Sequence, residues 1–271
     1  MRSIRSYGLV GYCLAGALLF GSNAAYAGDA PETIDPSTMT PSFTEDFDSL
    51  DVSPWGDNGS RWIAHTPYSG DFGDAKFTDP VEGFPFTTQD GILHIEARKG
   101  DDGKWRSGLL ASVNRRFEGF SQKNGYFEAR MKLPAGKGVW PAFWLVGTDR
   151  SAHTAEIDVL EHYGALPARF SSKLHIWQRT PGKESSSQVH LTNVERGSLS
   201  SAYHTYGVLL DPDHVTFYFD REKIWQVDRP AEADMPFYVM VNLALGSGWP
   251  ITETPNPSVL DVDYIHAFRE K

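Results

Sequence analysis

From Phe43 onward the chain alternates between short runs of period two and clusters of turn residues. In "YFEARMKL", Phe127, Ala129, Met131 and Leu133 fall on one side, with Tyr126, Glu128, Arg130 and Lys132 on the other. "LHIEAR" and "VTFYFD" repeat the pattern, with Leu93, Ile95 and Ala97, then Val215, Phe217 and Phe219, on the apolar side. Such alternation marks a strand with one buried face. Gly, Pro, Asn and Asp punctuate the runs in "QDG", "LPAGKG", "DPDH" and "DRP", and no stretch holds a 3.6-residue period over ten residues. Many short strands divided by turns predict an all-β sandwich or jelly roll.

Composition trims the ends of this picture. The chain has 271 residues, 40% of them hydrophobic, enough for one large core. Residues 1–27 carry Arg2 and Arg5, an apolar run from Leu9 to Phe20 and Ala25-Tyr26-Ala27, the layout of a cleaved secretory signal peptide. The run is shorter than the ~20 residues a membrane span needs. Residues 28–42 are rich in Pro, Ser, Thr and acids and read as a flexible lead-in, leaving 43–271 as one domain. Cys13, the single cysteine, lies in the leader, so the mature domain would have no disulfide. A formal charge of −10, with no basic run, argues against nucleic acid and anionic membranes as partners. The expectation is a secreted or periplasmic monomer.

One strand-like stretch breaks the polar-out rule. "AEIDVLEHYG" places Glu156, Asp158 and Glu161 in a segment where like charges repel. Glu156 and Asp158 share a face while Ile157 and Val159 point into the core. Strict alternation would bury Glu161, at high cost. One bulge residue between Val159 and Glu161 would return Glu161 to the face of Glu156. Two carboxyl groups on one face suit retaining glycoside hydrolysis, with Asp158 raising the proton affinity of a neighbour or donating to Glu156. A solvated acidic face and a calcium site fit the spacing as well. No zinc motif, phosphate-cradling loop or nucleophile elbow is present.

"EIDVLE" resembles the E-x-D-x-x-E signature of glycoside hydrolase family 16 in its bulged form. "WRSGLLAS", "GYFEARMKLPAGKGVWPAFWLVG", "NLALGSGWP" and "DVDYIHAF" resemble that family's segments in the same order, covering roughly Phe43 to Phe268. The resemblance implies a concanavalin A-like β jelly roll of two curved antiparallel sheets with an open concave cleft. It implies endo-acting, retaining cleavage of a β-linked polysaccharide, with Glu156 as nucleophile, Glu161 as acid/base and Asp158 assisting. The bulged form is similar to laminarinases, agarases and carrageenases. "GDFGDAKF" and "EHYG" are similar to bacterial members that process exopolysaccharides. A transglycosylase with the same acids and a lectin-like binding module on the same fold are the alternatives.

The resemblance extends to the lining. With it, Trp144 and Trp140 on one strand face are expected to stack on sugar; His175, with Trp177 on the same face of the next strand, resembles the family's His or Asn that hydrogen-bonds sugar or the acid/base; and Arg106 and Asn242 match substrate-contacting positions. Each also has a plainer role available: Trp in the core, His as a structural partner, Arg106 in a surface ion pair. Trp249 would cap the cleft or close the sandwich end, and Trp62 and Tyr68 would form a cleft wall. Asp263 resembles a structural calcium ligand of relatives; no cofactor is required.

Overall fold

The computed structural model describes residues 30–271 apart from Ser69. The expected signal peptide and Cys13 lie outside the described residues. No helix among the described residues is long and apolar enough to cross a membrane.

The alternating runs form strands β1 (Thr40–Glu45), β2 (Val52–Ser53), β3 (Trp62–Ile63), β4 (Lys76–Phe77), β5 (Phe86–Gln89), β6 (Ile92–Lys99), β7 (Trp105–Ser107), β8 (Leu109–Ala111) and β9 (Gly125–Lys132). They continue with β10 (Val139–Gly147), β11 (His153–Glu161), β12 (Arg169–Gln178), β13 (Ser186–Asn193), β14 (His204–Leu210), β15 (His214–Phe219), β16 (Glu222–Asp228), β17 (Phe237–Leu245) and β18 (Ser258–Arg269). One sheet runs β16-β15-β14-β9-β18-β6-β7-β4, with β1 and β5 added at β18 and β6; the other runs β13-β12-β11-β10-β17-β8-β3-β2. The two form a jelly-roll sandwich. Pairing is antiparallel except at the short β2–β3 and β4–β7 contacts, a small departure from two purely antiparallel sheets.

The main core lies between the sheets. Phe127, Ala129 and Met131 of β9 meet Phe143 and Leu145 of β10, Ile157 and Val159 of β11 and Leu174 and Ile176 of β12. Each fully buried large apolar side chain contributes about 1.5–3 kcal/mol. β17 is buried on both faces: Val239, Val241 and Leu243 join this core, while Tyr238, Met240 and Ala244 join a second cluster with Trp144, Phe77 and Phe72. That second cluster lies on the outer face of the eight-stranded sheet. Part of this face is thus roofed by Tyr68, Phe72 and Phe77, and the remainder forms a cleft.

The ten-stranded sheet carries a buried polar knot. Glu128, fully inaccessible, accepts two hydrogen bonds from Arg221 (2.9 and 3.0 Å) and one each from the hydroxyls of Tyr126 and Tyr264 (both 2.7 Å). Every lone pair of this buried charge is used, as its burial demands.

The segment expected to be a flexible lead-in is held down from Ala30 onward. Ile34 N–H donates to the Arg221 carbonyl and Lys223 N–H to the Glu32 carbonyl, while the Tyr218 hydroxyl donates to the Pro31 carbonyl. Ala30 and Ile34 are buried, and β1 begins at Thr40. Backbone pairing with a sheet edge does this work, and it leaves little side-chain periodicity to read.

Candidate active site

Strand β11 contains the expected bulge. Asp158 pairs with Lys173 and Glu161 with Ser171, so Val159 and Leu160 together oppose Ser172. Both bulge residues are buried in the main core, and Glu156, Asp158 and Glu161 face the cleft. Two hydroxyls hold the distortion: Ser172 Oγ donates to the Val159 carbonyl (2.9 Å) and Ser171 Oγ to the Glu161 carbonyl (3.2 Å). A bulge forfeits ladder hydrogen bonds, and these serines replace them.

The cleft holds about 350 Å³ and crosses β17, β10, β11 and β12. Trp140, Ala142 and Trp144 of β10 form its floor; Lys173, His175 and Trp177 of β12 form one side; Tyr68 and Phe72 form the other. Phe72 meets Trp140 and Trp144 edge-on, at 5.5 and 5.7 Å between ring centres. Trp177 stacks on His175 at 4.6 Å and is 41% exposed, a flat apolar surface open to solvent. Aromatic faces of this kind suit the C–H faces of sugar rings.

Each acid has its own surroundings. Glu161 accepts a hydrogen bond from Trp140 Nε1 (2.7 Å) and is ion-paired with the Lys173 ammonium. Asp158 lies 3.3 Å from His175 Nε2, and His175 Nδ1 is 2.6 Å from Ser187 Oγ on β13. Glu156 is pushed up to about 7, first by burial and then by the charge of Asp158, with His175 and the Trp177 indole pulling the other way. Glu156 thus holds its proton more tightly than an ordinary glutamate. Burial works against the Lys173 charge, but the carboxylate of Glu161 outweighs it and holds the ammonium well above the usual lysine range. Burial, and then Glu161, push the Tyr163 hydroxyl up to about 12.

Asn242 is fully buried beneath this floor, its Oδ1 accepting from Trp144 Nε1 at 2.8 Å. Its Nδ2 has no hydrogen-bond partner among the described residues. In this structure Asn242 fixes the Trp144 ring.

Three residues expected at the cleft fall elsewhere. Arg106 lies on β7 of the other sheet, in a bidentate pair with Asp102 (2.8 and 2.9 Å), because β7 pairs with β6 and β4 and never reaches the cleft. Trp249 is exposed in the loop after β17, outside the cleft lining, where Ser247 is present instead. Trp62 is core, its Nε1 donating to Glu45 at 2.8 Å. Asp263, expected on the convex side of the sandwich, lies on β18 of the ten-stranded sheet and is ion-paired with Arg130. The donors of Glu156, Asp158 and His175 lie within 4.8 Å of one another. Two carboxylates and an imidazole fall short of the roughly six to eight oxygens calcium takes.

Sequence reasoning passed over Phe72, Lys173, Tyr163, Ser187 and Ser247. Lys173 was recoverable: once "KLHIW" is read as the strand beside β11, period two puts Lys173 on the face of His175 and Trp177.

The fold and site together define a β-sandwich whose outer sheet face carries acids in an aromatic-lined cleft. The chain belongs to the glycosyl hydrolases family 16, whose family model matches residues 82–266. It is 27% identical over 93% of its length to "Endo-1,3-1,4-beta-glycanase EglC" of Rhizobium meliloti, of which the match covers 57%. It is 32% identical over 68% of its length to "Endo-1,3-1,4-beta-glycanase ExsH" of the same organism, of which the match covers 39%. The chain therefore spans about half or less of these relatives. The laminarinase catalytic domain of Thermotoga maritima superposes with a TM-score of 0.59 at 26% identity, over 70% of this chain and 82% of that one.

Proposed function

We propose that the protein is an endo-acting, retaining β-glycan hydrolase that works outside the cytoplasm, as a monomer and without a cofactor. The observation that carries this reading is the two-for-one bulge at Val159–Leu160, which puts Glu161 in the same cleft as Glu156. Glu156 attacks the anomeric carbon while Glu161 gives a proton to the glycosidic oxygen; Glu161 then takes a proton from a water that attacks the same carbon, breaking its bond to Glu156 and releasing the sugar. Asp158 serves as the partner in proton sharing. When the shared proton sits on Asp158, Glu156 is left ionised and ready to attack. The open, aromatic cleft fits an internal stretch of polymer, and the names of the relatives support a β-1,3- or mixed-linkage glucan or a bacterial exopolysaccharide.

Reducing-end release from laminarin, mixed-linkage β-glucan and bacterial exopolysaccharides tests the reading. Glu156→Gln and Glu161→Gln are each expected to lower it at least about a hundredfold while the circular dichroism spectrum is retained. NMR should show the β-anomer as the first product. Near-normal turnover in either variant, or the α-anomer first, would overturn these roles.

A further inference from the structure

Lys173 is a cation among the acids of the cleft. It faces the cleft opposite Asp158 in the β11–β12 ladder, yet its ammonium reaches Glu161. Both Glu161 oxygens are thereby engaged, Oε1 by Trp140 Nε1–H and Oε2 by Lys173 Nζ. A protonated Glu161 cannot keep both donors, because the oxygen that carries the proton becomes a poor acceptor. Trp140 is held in place: Phe72 meets it edge-on and Tyr163 stacks on it at 6.1 Å. Lys173 has a flexible stem and a second acceptor, the Tyr163 hydroxyl at 3.3 Å. Lys173 is therefore the donor that can yield and return.

We propose that Lys173 is a positioning residue for the acid–base step, acting through Glu161; this rests on the reading in which Glu161 is the proton donor. While Glu161 carries its proton, the ammonium rests on the Tyr163 hydroxyl. As the bond from the anomeric carbon to the glycosidic oxygen breaks, that oxygen takes the proton from Glu161 and leaves as an alcohol, and Glu156 forms the new bond to carbon. The negative charge left on Glu161 is met by the returning Lys173 ammonium. With side chains only 16% and 9% exposed, the pair is shielded from water, where such a charge-assisted contact counts most.

Leaving-group dependence tests this, because a phenolate that departs without protonation needs no acid. The comparison is wild type, Lys173→Met and Lys173→Arg on laminarin and on 2,4-dinitrophenyl β-laminaribioside. The Met variant should lose about tenfold in kcat/KM on laminarin, but less than about threefold on the aryl glycoside. The Arg variant should recover most of the laminarin activity, and Glu161→Gln should show the same split as Met in stronger form. An equal loss on both substrates, with an unchanged melting temperature, would assign Lys173 a merely structural part and overturn the proposal, as would no loss on either. Wild type cleaving neither substrate would overturn the hydrolase reading and this inference with it; wild-type cleavage with an even loss in the Met variant removes only the role of Lys173.

Discussion

At Glu156 burial and the neighbouring Asp158 charge favour the proton, and His175 and Trp177 oppose them without prevailing. The consequence reaches beyond chemistry. A carboxyl whose proton is held more tightly in the folded chain than in the unfolded one favours folding at low pH. That contribution is lost as pH rises from the ordinary value of 4.5 through about 7. Glu156→Gln removes the penalty of a buried charge. The variant should therefore melt higher than wild type near pH 8, and the gap should close near pH 4. Thermal unfolding monitored across that range checks it; a gap that widens toward acid would mean that Asp158 and burial do not act on Glu156 as described. Three carboxylates on a strand were visible in "EIDVLE", but the environment of each was not, because it is set by β10, β12 and the chain around Tyr68, all distant in sequence.

At the scale of the element, the bulge decides where Glu161 points. Its existence was legible from parity alone: a charged residue five positions after Glu156 would otherwise enter a core built from Val159 and Leu160. Its fastening was not legible. Ser171 and Ser172 read as unremarkable strand polars, and only the β11–β12 register shows them donating to the carbonyls of Glu161 and Val159. Ser172→Ala leaves the Val159 carbonyl buried without that donor and should cost about 1–3 kcal/mol in urea unfolding. It should also lower kcat more than it raises KM, because the loosened bulge re-aims Glu161, the proposed acid/base, rather than the rest of the cleft. A stability loss with untouched kcat would show that the ladder alone holds Glu161. Arg106 makes the complementary point. "WRSGLLAS" resembles one family segment, yet the chain divides it between β7 in one sheet and β8 in the other, and which sheet a three-residue strand joins depends on partners that no local pattern specifies.

Across the whole molecule the two sheets divide their tasks. One carries the Glu128–Arg221 knot and the tethered segment from Ala30; the other devotes its outer face to the cleft. The alternating pattern made the sandwich legible wherever a strand buries one face, as in β6, and the resemblance ordered the pieces. Trp62 and Trp144 show where that reading stops. Both are apolar rings in β-strands, and which one lies beside a cleft follows from the layer beneath it.

The outermost strand on the cleft side, β13, is exposed along most of its length, with Val189 and Leu191 about half open to solvent, yet it supplies Ser187 to His175. Edges of sheets detach at a lower free-energy cost than interiors. On gentle warming the proposed activity should therefore be lost before the core. Amide exchange along residues 186–193 should quicken at the temperature where rate begins to fall, while β17 stays protected. The heat tolerance of that activity would then be raised by fastening the rim of the sheet rather than by repacking the interior.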